Sequence, residues 1–238
     1  TVINAIAGVN FTPDVNDPDS IQRSRFFSGQ VRLDHAFSDK LFFGAFYQGI
    51  DTTRHNTNGP LGAGFQPFPR PDTDRFNGFI NTFNSHFTWS PKGVTRTTAG
   101  YEYENERFEN DHITVTAADN FSVRARQSSS TMYVQELLSL DEGRLQLAGG
   151  FRAQFFSLKR PTFLPVNNPT YQNLTLDNAP TAYTGDGSVS YLFRSTNTKL
   201  RAHVGNGYRV PSLYERFGTF YSGFFGYSNS GDPNLAPE

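Results

Sequence analysis

The chain has 238 residues with no cysteine, one methionine and one tryptophan, which excludes a disulfide scaffold and any cysteine-ligated metal site. With 21 Lys and Arg against 22 Asp and Glu, the net charge is -1 and there is no electrostatic footprint for nucleic acid as a partner. Aromatic residues reach 15%, and no stretch approaches the roughly 18–20 consecutive apolar residues of a membrane-spanning helix, so any membrane crossing is made by strands.

In chain order, period-2 runs rich in Phe, Tyr, Val and Thr predict antiparallel strands at residues 25–37, 40–52, 74–89, 94–109, 128–140, 144–158, 182–193 and 199–210, with a weaker ninth at 2–10. Some are joined by tight turns, at Ser38-Asp39, Pro91-Lys92-Gly93, Asp141-Glu142-Gly143 and Ser195-Thr196-Asn197-Thr198. The connections between these hairpins are long and rich in Gly, Pro, Asn and Asp, at residues 53–73, 110–127, 159–181 and 211–238. Short and long connections alternate, so the repeat unit is one hairpin plus one long loop. A β-propeller also repeats at this length, but with four short strands per blade. An outer-membrane barrel has long tilted strands, short turns at one rim and long loops at the other, which matches. The turns near Asp39, Lys92, Glu142 and Thr196 are therefore expected at one rim and the long loops at the opposite one.

Alternation supports the barrel wall. Leu145, Leu147, Gly149, Phe151, Ala153 and Phe155 share one face of their run, opposite Gln146, Gly150, Arg152 and Gln154. The same division sets Leu200, Ala202, Val204 and Tyr208 against Arg201, His203 and Arg209, and Ala99, Tyr101 and Tyr103 against Arg96, Glu102 and Glu104. One face suits lipid and the other is wet, because an Arg facing lipid at midplane would cost about 2–4 kcal/mol. The competing arrangement is a half-buried sheet in a soluble sandwich.

Catalytic and metal-binding patterns are absent. The histidines His35, His55, His86, His112 and His203 stand on separate runs or loops at no ligand spacing. Glu102, Glu104, Glu106 and Glu109 read as a wet strand face rather than an acid–base pair. Gly205-Asn206-Gly207 has neither the third glycine nor the following helix of a phosphate loop, and the acidic segment Asp14–Asp19 lacks the glycine and closing glutamate of a calcium loop. The chain is not expected to be an enzyme, and no cofactor is implied.

Two segments near the end carry more. The first reads Tyr208-Arg209-Val210-Pro211-Ser212-Leu213-Tyr214-Glu215-Arg216-Phe217, and the second Gly231-Asp232-Pro233-Asn234-Leu235-Ala236-Pro237-Glu238. Together they resemble the two-part signature of TonB-dependent outer-membrane receptors, with Asp232 where the family usually has Asn. Gly150-Phe151-Arg152 and Gly100-Tyr101-Glu102-Tyr103 resemble further strands of that family. The resemblance covers most of residues 25–238. It implies an all-β antiparallel transmembrane barrel of roughly 22 strands, closed by a plug domain, embedded in outer-membrane lipid of a Gram-negative bacterium and energised by TonB. On that basis the chain is an interior piece of the wall, about nine strands long, with Arg209, Pro211, Glu215, Pro233, Leu235, Pro237 and Glu238 as the family motif and a further strand starting at Glu238.

Residues 212–232 are then an extracellular loop whose Phe220, Tyr221, Phe224, Phe225 and Tyr227 have no core to enter. Exposed rings suit a binding surface; packing on neighbouring loops or joining an aromatic girdle is the other reading. The leading cargo is a metal chelate, a ferric siderophore first. No histidine lies within residues 212–232, which counts against haem, while cobalamin and oligosaccharides stay open. A passive porin-like or structural barrel and a soluble β-propeller enzyme or lectin are the competing functions.

Overall fold

The computed structural model describes residues 19–61, 71–91, 93–117, 120–164, 176–222 and 227–238, with backbone alone for 219–222 and 227–230. The expected weak strand at 2–10 lies outside the described residues. Eight strands form one antiparallel sheet in sequence order: β1 (Ile21–Ala36), β2 (Leu41–Asn58), β3 (Asp72–Trp89), β4 (Thr95–Thr114), β5 (Phe121–Leu140), β6 (Leu145–Leu164), β7 (Ala182–Phe193) and β8 (Thr198–Gly205). The sheet does not close: β1 pairs with β2 alone and β8 with β7 alone among the described strands. Helix α1 (Leu213–Phe217) and a ribbon of β9 (Thr219–Ser222) and β10 (Tyr227–Ser230) follow.

The tight turns fall where composition placed them. Ser38 Oγ accepts from the backbone N–H groups of Lys40 and Leu41 at 3.2 Å, closing the first turn. At the third, Asp141 and Glu142 adopt φ of 53° and 56° ahead of Gly143 at 85°, the left-handed pair whose twist suits a short hairpin.

The long connections are shorter than expected because the strands run into them. Thr53–Asn58, Asn110–Thr114, Phe121–Gln127 and Lys159–Leu164 all lie in strands. In residues 53–58 both faces are polar and the period-2 signal fades, whereas in residues 121–125 alternation persists with its sense reversed, Phe121, Val123 and Ala125 lying on the face that is polar elsewhere, and ladder hydrogen bonding continues through both. Polar cross-strand contacts take over from apolar ones, including Asn58 to Asp72 at 2.7 Å and Ser122 to Asp111 at 2.6 Å. His112 Nδ1 lies 2.8 Å from Asp74 Oδ1, with both side chains 1% exposed and the imidazole stacked on Phe121, which buries a residue the sequence placed in a loop.

The register sorts the side chains into two faces. Phe43, Phe87, Ala99, Val134 and Phe151 form one row across β2–β6. Phe87 (49%), Val134 (43%) and Phe151 (51%) are exposed, so this face offers apolar surface that no protein covers. The other face carries Glu102, Arg152 and Arg201, with Arg152 Nη2 2.6 Å from Glu102 Oε1. Tyr208 departs from the alternation. Strand β8 ends at Gly205, and the Tyr208 ring instead lies 5.9 Å from Phe156 on the polar face.

Candidate functional site

Pro211 has no N–H to donate, and α1 begins two residues after it. Ser212 caps the helix: its hydroxyl accepts from the Glu215 N–H at 3.2 Å while Glu215 Oε2 accepts from the Ser212 N–H at 2.8 Å, a reciprocal capping box. Glu215 also receives the Arg209 guanidinium. The Ser212 N–H and then Arg209 hold the Glu215 carboxyl below the usual carboxylate range, and the Arg209 guanidinium is raised in return.

The two sequence segments interlock. Arg209 and Glu238 exchange both backbone hydrogen bonds at 2.9 and 3.0 Å, and their side chains meet at 3.2 Å. Arg209 thus pairs with the strand-starting end of the second segment as well as with Glu215. Arg216, only 6% exposed, donates from Nε and Nη2 to the Pro233 carbonyl at 3.0 and 2.8 Å with its guanidinium 5.3 Å from the Phe217 ring centre. Burial pushes its pKa down, and Asp232 acts in the opposite sense. Gly231 donates to the Gly218 carbonyl at 2.7 Å so closely that a Cβ there would meet Glu215 O and Arg216 C at 2.6 Å, which only glycine avoids. Asp232 Oδ1 accepts from the Asn234 N–H at 2.9 Å, a turn that Asp and Asn form equally well. Pro233 is buried, Pro237 half-buried and Leu235 exposed, the last two beside Pro211 and Arg216 in a cleft of about 270 Å³.

This cap is bolted to the polar face of the sheet. Leu213 and Phe217 are fully buried against Phe76, Phe108, Val123 and Ala125. Fully burying two such side chains stabilises the docking by about 3–6 kcal/mol. Tyr214 lies edge-on at 6.0 Å to Phe76 and 5.9 Å to Phe108. Beside it a cavity of about 510 Å³ opens, lined by Phe26, Ile50, Arg54, Phe76, Glu106 and Phe108 among others, with the Arg54 guanidinium 5.8 Å from the Phe76 ring centre.

The segment expected to be one loop contains α1 and the β9–β10 ribbon. Local pairing organises it: Phe220 stands opposite Asn229, Tyr221 opposite Ser228 and Tyr227 opposite Ser222. Phe224 and Phe225, between the two strands in sequence, lie outside the described residues. Sequence reading missed Leu213, Phe217 and Arg216 as the joints of the cap. A signal for the first two was present, since their spacing of four places both on one side of a short helix.

No group of three or more potential ligands gathers for a metal among the described residues. The acidic run is engaged: Glu102 with Arg152, Glu104 with Thr82 at 3.4 Å, and Glu106 with Gln127 at 2.8 Å.

Long antiparallel strands, short turns, an uncovered apolar face and a polar face carrying a docked cap define a wall segment of a large β-barrel. A family model described as TonB dependent receptor-like, beta-barrel, matches residues 4–238, and the chain belongs to that family. Among solved structures, the copper transporter OprC resembles it with a TM-score of 0.64 and 16% identity, over 82% of this chain and 32% of that one. BauA, the ferric preacinetobactin receptor from Acinetobacter baumannii, resembles it with a TM-score of 0.49 and 14% identity, over 75% of this chain and 30% of that one. The chain therefore spans about a third of the length of these proteins. No curated protein matches the sequence.

Proposed function

We propose that the chain forms part of the barrel of a transporter in the outer membrane of a Gram-negative bacterium, which takes up a scarce nutrient with energy from TonB, a ferric siderophore being the leading cargo. A plug domain and TonB are its protein partners, outer-membrane lipid its surroundings and a small-molecule metal chelate its ligand.

The observation that carries this reading is the interlocked cap. Arg209–Glu238, Arg209–Glu215 and Arg216–Pro233 tie both motif segments together and seat the ribbon that bears Phe220, Tyr221 and Tyr227. A large, partly apolar cavity lies beside the same cap. A ring-bearing ribbon joined to a docked cap suits an organic chelator, each ring contributing about 1.5–3 kcal/mol when fully desolvated. A continuous eight-stranded sheet argues against a propeller. A cap docked on the wet face argues against an open pore. The wall does not choose the cargo, since a copper transporter shares its fold.

The test uses the full-length protein. Replacing Tyr221, Phe224 and Phe225 together with Ala should raise the dissociation constant for a ferric siderophore at least tenfold, because one lost ring contact approaches the ~1.4 kcal/mol that tenfold requires. Uptake should stop when TonB is absent. Normal binding by the triple variant together with lost heat-modifiable migration on gels would make the rings structural and sink the assignment.

A further inference from the structure

Strands β4, β5 and β6 carry an arrangement that sheets avoid. On the face opposite the cap, Arg107 stands directly across from Arg126, and Arg126 directly across from Lys159. Like charges directly opposite destabilise a sheet, and neighbouring strands are only about 4.8 Å apart. Carboxylates nearby relieve the row only in part, since this patch sets two negative charges against the four positive ones of Arg107, Arg124, Arg126 and Lys159. Glu109 and Asp111, further along β4 on the same face, are taken by Arg124 at 3.7 and 2.8 Å. Among the described residues, none of the three cations has an ion pair. The β-bulge between Arg124 and Arg126 maintains the row, holding Arg126 in register with Lys159 while Arg124 pairs with Thr162.

The position of the row is informative. Four residues back along β4 lies Tyr103, which continues a cross-strand row with Tyr47 and Phe83 at the boundary between the charged and the apolar parts of this same face. A surface cavity of about 380 Å³ joins the two levels, with Phe83 and Tyr103 from the ring row and Asn105, Ser128, Arg126 and Lys159 above. Beyond the rings the face is apolar and uncovered, with Met132 61% and Phe155 44% exposed.

We infer that this row binds the phosphate of an anionic glycolipid whose acyl chains lie along the apolar face below it. Three cations that no described carboxylate pairs, in a patch of excess positive charge, call for a multiply charged acceptor, and phosphate monoester oxygens are the matching group. A zwitterionic phospholipid would bring an ammonium against the row. Free phosphate would leave the rings and the apolar face unused, so the lipid is the occupant. The inference rests on the proposed outer-membrane setting.

The experiment is native mass spectrometry of the purified full-length protein in mild detergent, without cargo or TonB. The probes are lipid A, its dephosphorylated form, phosphatidylethanolamine and inorganic phosphate. Lipid A should be retained at least tenfold more than either other lipid, and inorganic phosphate at equal concentration should not displace it. R107Q/R126Q/K159Q should lower lipid A occupancy at least tenfold, while R107K/R126K keeps it. Equal retention of the dephosphorylated lipid, displacement by inorganic phosphate, or unchanged occupancy in the glutamine variant would overturn the proposal. Should that variant fail to assemble, wild-type occupancy should still fall severalfold on raising salt from about 0.05 to 0.5 M, and salt-insensitive binding would overturn it equally. Failed cargo uptake by a protein that retains lipid A counts against the transport reading alone.

Discussion

Glu215 is the residue on which the two motif segments meet. One carboxylate accepts from the Ser212 backbone and from Arg209, whose own backbone pairs with Glu238. Because these donors favour the ionised form, its pKa lies below the ordinary value of 4.5. The sign follows from linkage: a depressed carboxyl contributes stability in full above its unfolded value and loses it as pH falls through the folded one. Protease cleavage within 209–238 should therefore be slow and flat at neutral pH and accelerate below about pH 4.5. Glu215→Gln should cleave faster at neutral pH and lose that part of the acid response. An unaltered acid profile in the variant would assign the response to other carboxylates. Both segments were legible as a pair in the sequence, but that Arg216 joins them through the Pro233 carbonyl was not, since a buried arginine is the exception for its type.

At the scale of elements, the strands exceed what a membrane asks of them. Strands β4, β5 and β6 each have 20 residues, about 66 Å of chain, whereas roughly 9–11 residues cross a bilayer. The excess is where sequence reading saw loops, because alternation fades where both faces are polar, as at residues 110–112 of β4, and reverses its sense where apolar side chains turn toward the cap, as at Phe121, Val123 and Ala125 of β5. Helix α1 shows the converse. Five residues cannot hold a helix by local propensity, so its capping box and its two buried anchors must do so. Phe217→Ala should cost about 3–5 kcal/mol of docking free energy, and raise amide exchange across 212–218 by two orders of magnitude or more while the wall stays folded. Hydrogen exchange read by mass spectrometry would check this; unchanged protection would mean the cap is held mainly by Arg209 and Arg216.

For the whole molecule, an open sheet cannot stand alone in lipid, since the outer edges of β1 and β8 present ladder groups that need partners. Face assignment is the property on which assembly depends. Val134 lies in the middle of the uncovered apolar face and Gln135 on the polar one. Val134→Arg should destabilise the barrel by about 2–4 kcal/mol and reduce heat-modifiable protein in membranes, whereas Gln135→Arg should leave it near normal. Equal effects of the two would reverse or blur the faces.

The sequence by itself determined the class. Ring-rich alternation in long runs, tight turns alternating with long connections and two motif segments in order left a β-barrel wall as the economical solution, because periodicity and turn chemistry are local properties. Tertiary structure alone decided the rest. It extended β4, β5 and β6 past the apolar band, turned Tyr208 onto Phe156, seated Leu213 and Phe217 on the polar face and aligned Arg107, Arg126 and Lys159 across three strands. These depend on strand register, and register is fixed by which distant residues face each other, which no local window of sequence contains.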